Sequence, residues 1–342
     1  MSESEEKIIL LQWHNNNCFA IAVVQCMLNI PPVVDILIQF LKNLNIAGRY
    51  IKGIDDEFKD TILMNFAVVA KFIKNNPQGI GNHSLKIQRL LLSVYKLCGL
   101  KMGNFGDSYQ FLCALYHNSN MSIKAFNSRC EQLKKDHGLD LTISTLESVF
   151  ELTWTNKYEV CNHCGAPHDD SPGGEIMNLF RKCDFIKSDG EIITTSFKTA
   201  FQNYLNYEDD IACAKCLIEK EDGKSVIQGC IPRKRYVEKL PQYLILVLAT
   251  RYHDFVQFDC NVETEFEVEL SNGKKGHLEL SCSTIGRGGH EISIIKKDDK
   301  WFHCDDYSHK HKPRLINNVS DYFTIKRGDT YDRFILFYKC MS

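Results

Sequence analysis

Two short cysteine pairs, Cys161 and Cys164 in CNHC and Cys213 and Cys216 in CAKC, stand 48 residues apart in a chain of 342. Brought to one point, two C-x-x-C pairs make a tetrahedral site of four thiolates, closed and therefore structural for zinc. The chain between them must then fold back on itself, which fixes an excursion in the middle of the molecule. The stretch from Cys161 to Cys216 is rich in turn residues and poor in long apolar runs, so a metal would supply the rigidity that a core does not. The same thiols also read as a redox pair or as buried cysteines. His163 and His168 are available to replace a thiolate, but four cysteines need no substitution.

The flanks differ in period. From Phe19 to about Phe150, segments such as VVDILIQFLKNL, FAVVAKFI, HSLKIQRLLLSVYKL and SYQFLCALYH repeat apolar residues every three or four positions, which predicts a helical lobe. From about Tyr236 the period is two. YLILVLATRY, FEVELSNGKKGHLELSCS, HEISIIKKDDKWFHC and RFILFYKC read as strands parted by Asn-Gly, Gly-Gly and Asp-Asp turns, which predicts an antiparallel sheet and an α+β fold.

The opening MSESEEK is acidic where a secretory signal is basic, and no apolar run approaches the roughly 18 residues of a membrane span. The expectation is an intracellular protein, cytoplasmic and/or nuclear, whose fifteen cysteines are reduced thiols, with Cys183, Cys230 and Cys304 structural. A net charge of −2, with no basic stripe, argues against a nucleic-acid partner.

Chemistry is suggested first by LQWHNNNCFAIAVVQCMLNIPP, in which a polar turn runs into a helical stretch and sets Cys18 near a helix N-terminus. The free amides and positive dipole end there favour a thiolate nucleophile, although a buried structural thiol fits the same position. A nucleophile needs a base. Of twelve histidines, His290 is the informative one, in GRGGHEISIIKKDDKWFHCDD, preceded by glycines, Gly289 among them, that suit close approach of a ligand backbone. A two-residue turn at Lys297 and Asp298 would set Ile294 opposite Trp301, Ile292 opposite His303 and His290 opposite Asp305, near enough for a carboxylate to orient the imidazole. A four-residue loop would leave Asp305 diagonal to His290. Asp306 points to the other face and is the reserve.

An N-terminal cysteine at a helix start, a four-cysteine insertion and a C-terminal His-Asp hairpin, in that order, resemble the ubiquitin-specific proteases. NNNCFAIAVVQCM is similar to the family's cysteine box, and GDSYQFLCAL to its Asp-containing Glu-Phe-Leu box, with Gln110 for Glu. KLPQYLILVLATRY resembles the family's Leu-Pro strand. GGHEIS, WFHCDD and YDRFILFYKC resemble its histidine box, its Trp-Tyr-x-x-Asp-Asp segment and its closing aromatic strand.

The resemblance implies a papain-like cysteine protease fold over residues 8–341 as one catalytic domain. A helical thumb would span about 8–150, zinc-stapled fingers about 151–235 and an antiparallel β palm about 236–341. It implies Cys18 as nucleophile, His290 as base and Asp305 as the orienting residue, cleaving the isopeptide bond after the C-terminal glycine of ubiquitin through a thioester. A ubiquitin-like modifier such as SUMO is the alternative substrate, and an inactive ubiquitin-binding module the alternative class. Where the family carries an oxyanion-stabilising Asn, this chain has Trp13. The donor is then sought at Gln12, or among Asn15, Asn16 and Asn17, which also suit a helix cap. Glu291, where the family more often has Tyr, and Asp107 are expected to meet the modifier's tail, with Asp107 also placed to cap the helix that begins at Ser108.

Overall fold

The computed structural model describes residues 11, 17–75, 84–99, 107–219, 225–227, 229–249, 251–252, 255–287, 289–305 and 313–341. The N-terminal helices are α1 (Cys18–Met27), α2 (Pro31–Ala47), α3 (Ile54–Phe58), α4 (Ile62–Asn75), α5 (Ser84–Cys98), α6 (Ser108–His137) and α7 (Glu147–Phe150). Local chemistry sets their ends. Pro31 and Pro32 open α2, where the missing amides cost nothing. The Asp107 carboxylate accepts from the Tyr109 and Gln110 amides to start α6, as its sequence position suggested, and Gly138 closes that helix at φ 64°.

Next come β1 (Leu152–Tyr158), β2 (Ser171–Glu175), β3 (Met177–Phe180), α8 (Phe197–Leu205), β4 (Glu208–Ala212), β5 (Leu217–Glu219), β6 (Ser225–Ile227) and β7 (Cys230–Tyr236). Strands β2-β1-β7-β4 form one small sheet, and β5 and β6 pair beside it. The C-terminal part holds β8 (Tyr243–Ala249), the two-residue strands β9 (Arg251–Tyr252), β10 (Phe255–Val256) and β11 (Cys260–Asn261), and β12 (Glu265–Glu269), β13 (Lys275–Arg287), β14 (His290–Lys297), β15 (Lys300–Cys304) and β16 (Arg314–Ile316). It ends with α9 (Ser320–Phe323), β17 (Thr324–Ile325) and β18 (Tyr331–Met341).

The main sheet runs β16-β15-β14-β13-β18-β8-β3, with β12 also on β13. It is antiparallel except at β3, which lies parallel to β8. Strand β3 falls in the stretch read from sequence as fingers, and it lies at the edge of the main sheet. The reason is visible in β8, an unbroken apolar run with both faces buried, which needs neighbours on both edges.

Period-two alternation splits that sheet between two cores. Ile245, Val247, Ile295, Ile335 and Phe337 join the helical lobe. Leu244, Leu246, Ile294, Leu336 and Tyr338 face the opposite side, with Phe197 and Phe201 of α8. The helical lobe therefore packs directly on the main sheet, and α1 lies against β13 and β14 along that seam. Among the described residues no single helix is long and apolar enough to cross a membrane.

Candidate active site

Helix α1 starts at Cys18, in the seam between the lobes, and Cys18 is buried at 5% exposure. The strand β14 starts at His290, just after Gly289, whose φ of 84° is a backbone conformation that favours glycine. Across the seam Cys18 hydrogen-bonds the His290 ring. On its other side His290 Nε2 lies 2.9 Å from Asp305 Oδ1. With Nε2 turned to the carboxylate, Nδ1 is the nitrogen left to face sulfur. The bond to Asp305, then that to Cys18, raises the His290 pKa from its ordinary value to about 10, against the opposing effect of burial.

The hairpin reaches this geometry in the diagonal register. Its turn is Asp298–Asp299, both in the left-handed region at φ 49° and 58°. The pairs are Lys297 with Lys300, Ile294 with His303 and Ser293 with Cys304. The turn is one residue later than Lys297–Asp298. A two-residue hairpin turn of this hand needs positive φ at both central positions, which Asp tolerates better than Lys. A neighbour missed in the sequence lies beside the carboxylate: His303 Nε2 is 3.8 Å from Asp305 Oδ2, while its Nδ1 is 2.8 Å from the Tyr322 hydroxyl.

The remaining candidates fall in different places. Gln12, Asn15, Asn16 and Asp306 lie outside the described residues. Asn17 is wholly buried, but its side chain makes no capping bond to α1. Its main-chain carbonyl accepts from the Ala20 and Ile21 amides. The Asp107 carboxylate is bound inside the protein by Arg333 Nη1 as well as by the α6 amides. Glu291 points into the seam, where Ser108 hydrogen-bonds it and its Oε2 is buried without a partner. Burial raises its pKa to about 7, with Asp107 adding to the rise and Arg333 and His290 opposing it. Glu291 and Cys18 line one small cavity with Gln25, Ser293 and Cys304.

The second cluster is at the far end of the small sheet. Cys161 and Cys164 follow β1, Cys213 follows β4 and Cys216 precedes β5. All four sulfurs lie within 4.8 Å of one another. Cys161 Sγ is 3.7 Å from Cys216 Sγ, and Cys164 Sγ is 3.8 Å from Cys213 Sγ. A tetrahedron with metal–sulfur bonds of about 2.3 Å has edges of about 3.8 Å, so the spacing fits a four-thiolate metal site. Backbone amides of Cys164 and His163 lower the Cys161 pKa to about 6, which favours the ligating thiolate. Gly229 lies against the cluster: a Cβ there would come within 2.7 Å of Cys161 Sγ and 2.9 Å of Cys216 Sγ.

Against known proteins, the family model described as ubiquitin carboxyl-terminal hydrolase matches residues 11–338. Among curated proteins nothing matches. Solved structures show the same fold. The SAGA DUB module of Ubp8, Sgf11, Sus1 and Sgf73 bound to monoubiquitin aligns at TM-score 0.61 and 14% identity, over 100% of this chain and 72% of that one. The yeast SAGA DUB module with a substituted Sgf73 gives TM-score 0.60 and 13% identity, over 100% and 71%. The module bound to ubiquitin aldehyde gives 0.58 and 14%, over 100% and 72%.

Proposed function

The chain belongs to the ubiquitin carboxyl-terminal hydrolase family, and on that premise we propose that Cys18, His290 and Asp305 carry out its hydrolysis as nucleophile, base and orienting residue. The protein is a cysteine-type ubiquitin hydrolase. The observation that carries the residue assignment is His290 bonded on one side to Cys18 and on the other to Asp305.

In this reading His290, whose raised pKa favours the protonated ring, takes up the Cys18 proton before attack, and the thiolate adds to the carbonyl carbon after the terminal glycine of ubiquitin. The electron pair moves to the carbonyl oxygen, and the Cys18 backbone amide at the start of α1 helps to hold that oxyanion. When the intermediate collapses, the carbon–nitrogen bond breaks and His290 returns the proton to the leaving amine, giving a thioester. Water, losing its proton to His290, then releases ubiquitin and restores the thiol. Asp305 holds the ring in the orientation that serves both transfers.

The four cysteines are read as a structural zinc site that staples the fingers, which form a grip for the globular body of ubiquitin. Binding of ubiquitin by structurally similar modules supports that partner. The lobes are read as thumb to about residue 150, fingers to about 235 and palm beyond, in one catalytic domain.

The test is a covalent probe. Ubiquitin bearing a thiol-reactive group at its C-terminus should add once to the protein, at Cys18, and not to Cys18→Ala, as read by intact mass and peptide mapping. An adduct at another cysteine would overturn the assignment, and labelling by the matching SUMO probe alone would move the substrate to that modifier.

A further inference from the structure

Asparagine is among the strongest N-cap residues because its side-chain oxygen accepts from first-turn amides. At the start of α1 it is used differently. Asn17 sits at φ −103°, ψ 15°, in the bridge region and not in the extended conformation from which a cap reaches over the helix end. Its side-chain oxygen accepts a 2.6 Å hydrogen bond from the Tyr95 hydroxyl, 78 positions away on α5. Asn17 is 0% exposed and Tyr95 2%. The Tyr95 ring is itself held, stacked on Phe19 at a centroid distance of 6.0 Å and edge-on to Phe111 at 6.1 Å. Burial keeps the phenol well above its ordinary pKa, so it remains a donor.

This choice matters at Cys18. A side-chain oxygen in the capping position would sit over the first-turn amides, in the space that an oxyanion bound by the Cys18 amide has to enter. We propose that Tyr95 is a positioning residue for the hydrolysis: its hydroxyl holds the Asn17 oxygen away from the first turn of α1 and leaves that turn to the oxyanion. The inference rests on Cys18 being the nucleophile.

Tyr95→Phe keeps the ring packing and removes only the restraint. Steady-state hydrolysis of a fluorogenic amide at the C-terminus of ubiquitin should show kcat lowered about 10- to 100-fold, less than the about 100- to 1000-fold loss of a whole donor, with KM within about twofold. Alkylation of Cys18 by iodoacetamide, a displacement that forms no oxyanion, should stay within about twofold of wild type. Adding Asn17→Ala to Tyr95→Phe removes the competing oxygen and should recover most of the lost kcat, and Asn17→Ala alone should stay within about threefold of wild type.

An unchanged kcat in Tyr95→Phe would overturn the proposal. So would a double variant no better than Tyr95→Phe, or an Asn17→Ala enzyme as slow as Tyr95→Phe, since either marks the pair as structural support. Failure of the underlying reading looks different: the wild-type protein itself would take no ubiquitin probe at Cys18.

Discussion

Glu291 shows how one side chain at this site couples stability to pH. It follows His290 in sequence, and period-two alternation turns it to the opposite face of β14, into the seam beneath Cys18. Ser108 at the start of α6 donates to it, Asp107 repels it, and Arg333 and His290 attract it, but burial is the largest effect and raises its pKa to about 7. Because the folded-state value lies above the ordinary 4.5, ionised Glu291 opposes folding. That cost is absent below about pH 4.5, grows as pH rises, and is complete above about pH 7. A rise of this size corresponds to about 3 kcal/mol. Glu291→Gln keeps the shape of the neutral acid, so urea unfolding should find the two proteins alike at pH 4.5 and the variant more stable by about 3 kcal/mol at pH 8. An equal difference at both pH values would show that the residue is not titrating in the seam. Sequence singled this position out through its unusual residue type, but only three-dimensional packing shows that the carboxylate lies under Cys18, against Ser108.

Between elements, the β14–β15 hairpin sets the distance between His290 and Asp305. The alternation of apolar residues made both strands legible, and the pairing of His290 with Asp305 was legible to within one register. What periodicity could not fix was where the chain reverses, because KKDD offers overlapping two-residue turns. The left-handed conformation at Asp298 and Asp299 decides it. A β-branched residue there should pay about 1–2 kcal/mol for the same backbone. Asp299→Val is expected to lower stability by that amount in thermal unfolding. It should also lower kcat, because a hairpin relaxing toward another turn carries Asp305 off His290. Asp299→Gly, compatible with positive φ, serves as the control and should retain both. A valine variant with full stability and full kcat would show that the turn does not hold the register. The bonds from Tyr95 to Asn17 and from Arg333 to Asp107 had no such signal. Each joins side chains of separate elements far apart in sequence, a pairing that periodicity does not encode.

On the scale of the whole molecule, apolar burial is unevenly distributed, and that sets the cysteine cluster apart from the seam. Two large cores share the main sheet and meet at the seam that holds Cys18 and His290. Around the cysteine cluster, by contrast, the apolar core among the described residues is small: Cys161, Cys213, Cys216 and Ile231, with Tyr158 and Ile211 packed against it. Such a cluster cannot offset the entropy of ordering its loops by burial alone, so a bound metal would contribute most of what holds this end in shape. The two C-x-x-C pairs made this legible in the sequence, since thiolate spacing is a local property that survives any rearrangement of the core. Cys18, His290 and Asp305 lie in another part of the fold, so, on the proposed roles, loss of the metal should act on binding and leave the chemistry in place. Cys213→Ser, or wild type treated with a zinc chelator, should lose bound zinc by elemental analysis. Either should raise KM for a ubiquitin C-terminal amide by about 10-fold or more while iodoacetamide still alkylates Cys18 at close to the wild-type rate. Proteolysis should cut first within the stretch from Cys161 to Cys216, with the thumb and palm surviving longer. If Cys18 lost its reactivity in step with the metal, the two ends of the molecule would be one cooperative unit. Zinc would then support the catalytic seam as well as the fingers.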